Sequence, residues 1–486
     1  MVFLLAVCLI NAGCTTRDAY RPVRERNVSQ HLVPELGHYN SDAKVPERQH
    51  ECLEKYSKSN FWLGHVELTE YGTYQDHHQM GVLERAIEND THARDSLFKG
   101  GITIVVFVHG WFNNAEEENG NLNNFRNLLS EVAAEQKGRN RGVLGVYLSW
   151  RGESLRGPLK YFSYWGRART ADAIGHGIMV EALARIRNIH WLVAQGACRR
   201  GKSDLEIYKN SRLVLMGHSF GGRALYDAVA EGMETNFLLP YWAARSFPEA
   251  QGKGQQSQAT MQRVTGFGDL VLLINPAIKS LPYRKVHYAM HTNATVNYDR
   301  KQPVLMMVLS AKNDLPNHSF LPVGETFGNR FRDWSARKED RVPASQNTTA
   351  LGHWAPYHTH DLSWEGSQLC LTKSRDYFKL VDHTEDDVPI SPPLPIKTLR
   401  RDLMSFRDVR GNVRISTDPD PGLLPYMVVS VDPKIINGHS GFWPVDGNRR
   451  AYEFVTRFIA AQNKAVGEAR AEQAVSAAAK VVPKKY

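Results

Sequence analysis

The chain has 486 residues, of which 42% are hydrophobic and 10% aromatic, and its 60 Lys and Arg against 51 Asp and Glu give a formal net charge of +9. That length can bury a sizeable core as one large domain with insertions or as two domains, and the single domain is the preferred reading. The charge is spread along the chain rather than gathered into a basic block, which argues against a dedicated nucleic-acid surface while leaving contact with anionic membrane surfaces open.

Met1 to Ile10 form an apolar run too short to span a bilayer, and the small-residue stretch Asn11-Ala-Gly-Cys14 follows it. This reads as a signal segment. It resembles a bacterial lipoprotein signal, and the resemblance implies that Cys14 becomes the lipidated first residue of the mature chain; simple secretion, an uncleaved anchor and an ordinary buried N-terminus are the alternatives. The expected location is the cell envelope or the outside of a bacterial cell, with membrane association through the lipidated N-terminus. Residues 15 to about 60 are polar and irregular and read as a tether leading into the fold. The five cysteines include no Cys-x-x-Cys pair, so neither a zinc site nor a dense disulfide framework is expected. One disulfide among Cys52, Cys198 and Cys370 remains open, without a basis for choosing the pair.

From there short apolar runs recur: Ile102 to Val108, Val143 to Ser149, Arg212 to Gly217, Leu270 to Asn275, Val304 to Ser310 and Met427 to Val431. Continuous runs of this length, each separated by more than a dozen residues, are what a mostly parallel sheet covered on both faces demands. Helical patterns over Arg167 to about Ala197 and after Gly221 fit the covering layers, giving an α/β architecture. The segment from about 315 to 424 is rich in Pro, Asn, His and Trp with few strand signals, and it is too long for a plain connector. It is expected to be an insertion beside the site, serving as a lid or cap. The Ala-rich stretch from about 464 onward reads as a solvated tail.

The strongest chemical signal is Leu213-Val-Leu-Met-Gly217-His218-Ser219-Phe220-Gly221-Gly222, a strand running into Gly-x-Ser-x-Gly and then a helix. This is the pattern of a nucleophile elbow, in which a strained strand-to-helix turn lifts the Ser Oγ above the sheet and small flanking residues let the backbones approach. Earlier, the strand Ile102 to Val108 ends in His109-Gly110-Trp111. The loop after such a strand supplies one backbone N–H to an oxyanion hole and the residue after the nucleophile supplies the other, which assigns Trp111 and Phe220. His109 suits a loop-organising hydrogen bond better than a base.

A Ser hydroxyl is a weak nucleophile until an imidazole accepts its proton, and the imidazole needs a carboxylate to fix its tautomer. Asp314 follows the strand ending at Ser310 and is the candidate acid, with Asp361 as rival. His439, in the Gly-flanked loop Ile435-Ile-Asn-Gly438-His439-Ser440-Gly441 after the last strand, is the candidate base. His318, His353, His358, His360 and His383 lack its combination of upstream strand and downstream helix. His358-Thr-His360-Asp361 could suggest a metal site, but no second ligand cluster accompanies it, and loop residues lining the insertion are the preferred reading.

Elbow, His-Gly strand end, and Asp and His in that order resemble the α/β-hydrolase superfamily over roughly residues 60 to 465. Tyr147-Leu-Ser-Trp-Arg-Gly152, Tyr161-Phe-Ser-Tyr-Trp-Gly-Arg167 and Gly352-His-Trp resemble segments of a largely uncharacterised group of lipase-like or esterase-like members. The resemblance implies a serine hydrolase acting on carboxylic esters, small-molecule or lipid, without a metal or organic cofactor. Trp150, Phe162, Trp165 and Phe442 are expected to line an apolar acyl pocket. Amide hydrolysis or acyl transfer with the same residues, and a non-catalytic envelope binding protein of the same fold, are the alternatives.

Overall fold

Runs of Val, Ile and Leu long enough to be apolar on both faces have no side to offer water, so they are stable only as inner strands covered by helices. The computed structural model describes residues 18–23, 47–136, 141–152, 164–199, 210–246, 264–292, 302–322, 344–365, 368–373, 424–444 and 448–460. These fall into two units, one up to Ala228 and one from Val229 onward. Each is an α/β unit with a mostly parallel sheet, as expected from the apolar runs.

In the first unit the strands are β1 (Glu47–His50), β2 (Leu53–Tyr56), β3 (Phe61–Leu68), β4 (Ile102–Val108), β5 (Gly142–Trp150) and β6 (Arg212–His218), adjacent in the order β1-β2-β3-β5-β4-β6. The last four run parallel, and β1 and β2 add an antiparallel edge. Every residue of β3, β4, β5 and β6 is buried. Helices α1 (His78–His92), α2 (Gly120–Gln136), α3 (Tyr164–His176) and α4 (Ile178–Arg199) precede the elbow, and α5 (Phe220–Ser246) follows it. The single helix expected from Arg167 to about Ala197 is therefore two. The break falls at Gly177, where a Cβ would come within 2.6 Å of the Ala173 carbonyl oxygen, so only glycine fits the junction.

The expected tether is in part structured. Besides β1 and β2, residues 18–23 lie against the first unit through a buried ionic lattice. Arg21, 3% exposed, donates from Nε to the Ala115 carbonyl at 2.9 Å and from Nη1 to Glu117, and its backbone N–H donates to Glu67 Oε1 at 2.7 Å. Glu54, fully buried, takes two hydrogen bonds from Arg126 at 2.6 and 3.0 Å and others from His65 and Tyr56. Burial alone would push its carboxyl up, but Arg126 and His65 outweigh it and hold it well below the usual range. Charged residues on inner strands disguise them in sequence and are tolerated because they are paired.

In the second unit β7 (Leu270–Ile274), β8 (Met306–Ala311), β9 (His360–Glu365), β10 (Gln368–Lys373) and β11 (Tyr426–Val431) are adjacent in the order β7-β8-β11-β9-β10. The first four of that order run parallel, and β9 with β10 is an antiparallel hairpin. The helices are α6 (Arg284–Thr292), α7 (Ala344–Thr348) and α8 over 450–460. The expected insertion thus contains a hairpin where few strand signals were read. Most of the remainder, 323–343 and 374–423, lies outside the described residues, as do the tail from 464 and Cys14. Among the described residues no helix is long and apolar enough to cross a membrane. Cys52 and Cys370 are free thiols, burial pushing Cys52 up to about 12, and the Cys198 side chain lies outside the described residues.

Candidate active site

The first unit presents Ser219 between β6 and α5 with φ +56°, in the left-handed region. For a residue with a side chain that conformation costs about 1–2 kcal/mol and persists only where its surroundings enforce it. Here glycines enforce it. A Cβ on Gly217 would meet the Gly222 Cα at 2.7 Å, and one on Gly221 would meet the carbonyl oxygens of Val108 and His109 at 2.3 Å. A Cβ on Gly110 would come within 2.8 Å of the Ser219 Cβ, so the end of β4 is pressed against the elbow. Phe220 opens α5, where the first amides have no intrahelical acceptor and point toward incoming negative charge.

The loop after β4 is held by His109, which is fully buried. Its Nδ1–H donates to the Gly110 carbonyl at 2.9 Å, while Nε2 faces the Ser149 hydroxyl at 3.0 Å and the Trp150 N–H at 3.2 Å. Trp150 returns the bond from its indole N–H to the His109 carbonyl at 2.8 Å, and the two rings stack. Phe112 takes φ +65°, its N–H donates to the Gly152 carbonyl, and the Asn113 amide donates to the Trp111 carbonyl. His109 is thus a structural residue, as its strand-end position implied.

The second unit presents His439 and Asp314. Asp314, fully buried just past β8, accepts from His439 Nδ1 at 2.8 Å through Oδ1 and from the Asn317 amide at 2.8 Å through Oδ2. Burial pushes the Asp314 carboxyl up, but the His439 hydrogen bond and charge and the Asn317 N–H bring it below its ordinary value. With its proton on Nδ1 held by a carboxylate, the imidazole keeps Nε2 as an acceptor, the tautomer a general base requires. Gly438, at φ +70°, allows the turn that delivers His439.

No family model, curated protein or solved structure matches this chain.

Of the expected pocket residues, two are buried side chains. Trp150 is 2% exposed with its indole committed beneath the loop after β4, and Phe442 is 2% exposed against Trp443 in the core of the second unit. Both were read as pocket walls because aromatic content alone does not distinguish core from lining. Phe162 and the Trp165 side chain lie outside the described residues. What the first unit gathers instead is Trp111 stacked on Phe112 at 4.0 Å and meeting Tyr164 and Phe220 at 5.6 and 6.3 Å, with all but Phe220 part-exposed. Phe112 directly follows the recognised His109-Gly110-Trp111 strand end and Tyr164 lies within the quoted segment Tyr161 to Arg167, but nothing in either marked it as a pocket residue.

The rival acid Asp361 lies in β9 rather than a loop, paired with Lys312 at 3.4 Å. His358 Nε2 is 2.9 Å from the Gly352 carbonyl and His360 Nδ1 is 2.9 Å from the Thr359 hydroxyl, so neighbouring protein groups engage those rings. Burial pushes His353, which feels both Asp314 and His439, below its ordinary range.

Burial pushes His109 and His65 down from 6.5 to about 4. Both stay neutral when folded yet gain a proton below about pH 6.5 when unfolded, so the unfolded chain binds more protons between those values and stability falls as pH drops. For His109 alone the loss is about 1.4 kcal/mol per pH unit. Urea midpoints at pH 7, 6 and 5 should therefore decline steadily; midpoints unchanged across that range would contradict neutral burial of these rings.

Proposed function

We propose that the chain is a serine hydrolase of the α/β-hydrolase type that cleaves carboxylic esters through an acyl-enzyme. Ser219 is the nucleophile, His439 the base, Asp314 its orienting acid, and the N–H groups of Trp111 and Phe220 the oxyanion donors. The observation that carries the reading is the left-handed backbone of Ser219, boxed by glycines at a strand-to-helix turn. Strain of that kind is kept where it is used, and at a strand-to-helix turn it aims a Ser hydroxyl for attack on a carbonyl. The hydrogen-bonded pair of buried Asp314 and part-exposed His439 supports the reading, since such a hydroxyl needs a base held in this way.

In this reading His439 Nε2 takes the Ser219 proton as the Oγ–C bond forms, and the carbonyl oxygen becomes an oxyanion facing the two N–H donors. Collapse breaks the bond to the alcohol, which leaves with the proton from His439. Water then attacks the acyl-enzyme, its proton passing to His439 and on to Ser219 Oγ as the acid is released. The half-exposed rings of Trp111, Phe112 and Tyr164 support an apolar acyl group, from a lipid or a soluble ester. The envelope location, with Cys14 lipidated, belongs to the same proposal and is supported by the signal-like first fourteen residues.

The test is hydrolysis of p-nitrophenyl esters of increasing acyl length by the purified chain lacking residues 1–14. Turnover with a preference for medium or long chains is expected. Folded protein inactive on every ester would refute the ester reading.

A further inference from the structure

Asn275 is absent from any role so far, yet it is fully buried at the end of β7 with φ +43°, outside the range most side-chain-bearing residues adopt. Its amide is fully used. Nδ2 donates to the carbonyls of Gly438 at 3.1 Å and His439 at 2.8 Å, and Oδ1 accepts from the Ala311 N–H at 2.8 Å. Its own carbonyl accepts from the Asn317 amide at 2.9 Å, and that amide also binds Asp314. The bonds close a ring: Asn275 to His439, His439 to Asp314, Asp314 to Asn317, and Asn317 back to Asn275. By contrast the exposed Asn313, which exchanges bonds with Asn437 and Gly438 of the same loop, is open to water.

We infer that Asn275 is the positioning residue for the catalytic base, fixing the backbone of His439 against β8 so that its ring meets Asp314 in one orientation. The inference rests on the serine-hydrolase reading for its kinetic consequence, but the His439–Asp314 geometry it explains stands independently of that reading. Two carbonyls of one loop held by a single buried amide give the precision that a general base needs, because displacement by about 1 Å can cost roughly 100-fold in rate. A donor–acceptor pattern of this kind is available to Asn and not to Asp, Ala or Gly.

The test compares Asn275→Gly, which suits the left-handed backbone while deleting the amide, with Asn275→Asp, which keeps an acceptor for Ala311 and loses both donors. Both are assayed on a soluble p-nitrophenyl ester across pH, and the His439 Nδ1 proton is followed by NMR in the full chain. Asn275→Gly should lower kcat roughly 10- to 100-fold with KM within about twofold, and broaden or abolish the downfield Nδ1 resonance. Asn275→Asp should lower kcat likewise, because its second oxygen cannot make both donations to the Gly438 and His439 carbonyls. A merely structural role predicts lower thermal stability with kcat, pH profile and resonance unchanged, and that result would overturn the inference. The resonance reports on the clamp even in an inactive protein, so loss of the hydrolase reading and loss of this one are separable.

Discussion

Ser219→Ala should reduce ester turnover at least about 10⁴-fold while leaving KM and the fold nearly unchanged. In the proposed mechanism the hydroxyl oxygen forms the acyl-enzyme, so its removal leaves only what oxyanion donors and substrate binding contribute with water as nucleophile. The fold should tolerate the change, because the left-handed turn is enforced by the backbones around Gly110, Gly217 and Gly221 and not by the Ser hydroxyl. Removing a side chain from that turn does not relieve its strain, since Ala carries the same Cβ. Steady-state kinetics and circular dichroism of the variant check both halves, and an active, folded Ser219→Ala would end the nucleophile assignment.

Asp314→Asn should be nearly as severe, lowering kcat by about 10⁴-fold at neutral pH. The reason is tautomeric. Asp314 accepts from His439 Nδ1 through one oxygen and from the Asn317 amide through the other, and an amide in its place offers one acceptor and one donor. If the Asn amide turns its N–H toward His439, the ring must carry its proton on Nε2 and can no longer accept from Ser219. If it turns the other way, two amide donors face each other at Asn317. The same substitution removes a carboxylate whose pKa lies below its unfolded value, so the stability that Asp314 contributes is present above the unfolded carboxylate pKa and lost as pH falls through the folded one. The variant should lose that acid-dependent part of the stability curve, and a kcat within tenfold of the parent would show that Asp314 is not the orienting acid.

The inner strands β4, β5, β6, β7, β8 and β11 were legible because their residues are apolar on both faces, and their ends fall within two residues of the expected ones. Asp314 and His439 were legible for the same reason, since each follows a strand that could be read. The strands that escaped are those whose apolar pattern is interrupted. Glu54 in β2 and His65 and Glu67 in β3 look like surface residues until Arg21 and Arg126, 33 and 72 positions from Glu54, are seen to pair with it. In β9, His-Asp-Leu-Ser-Trp-Glu alternates as a strand with one wetter face and resembles loop sequence in a Pro- and His-rich neighbourhood. Asn275 escaped because a buried Asn at a strand end carries no motif; its meaning lies in partners 36 and 164 residues away. The lining of the proposed acyl pocket was the least legible part, since sequence shows that aromatic residues exist and only packing shows which of them retain an open face.

In the proposed mechanism Ser219 is activated by the His439–Asp314 pair. Its most direct test is to treat the folded chain with a fluorophosphonate, which bonds to an activated Ser oxygen, and to locate the adduct by mass spectrometry beside His439→Ala. A single adduct on Ser219 should form rapidly in the parent and be nearly abolished in His439→Ala. An adduct on another residue, or labelling of Ser219 at the same rate without His439, would contradict it.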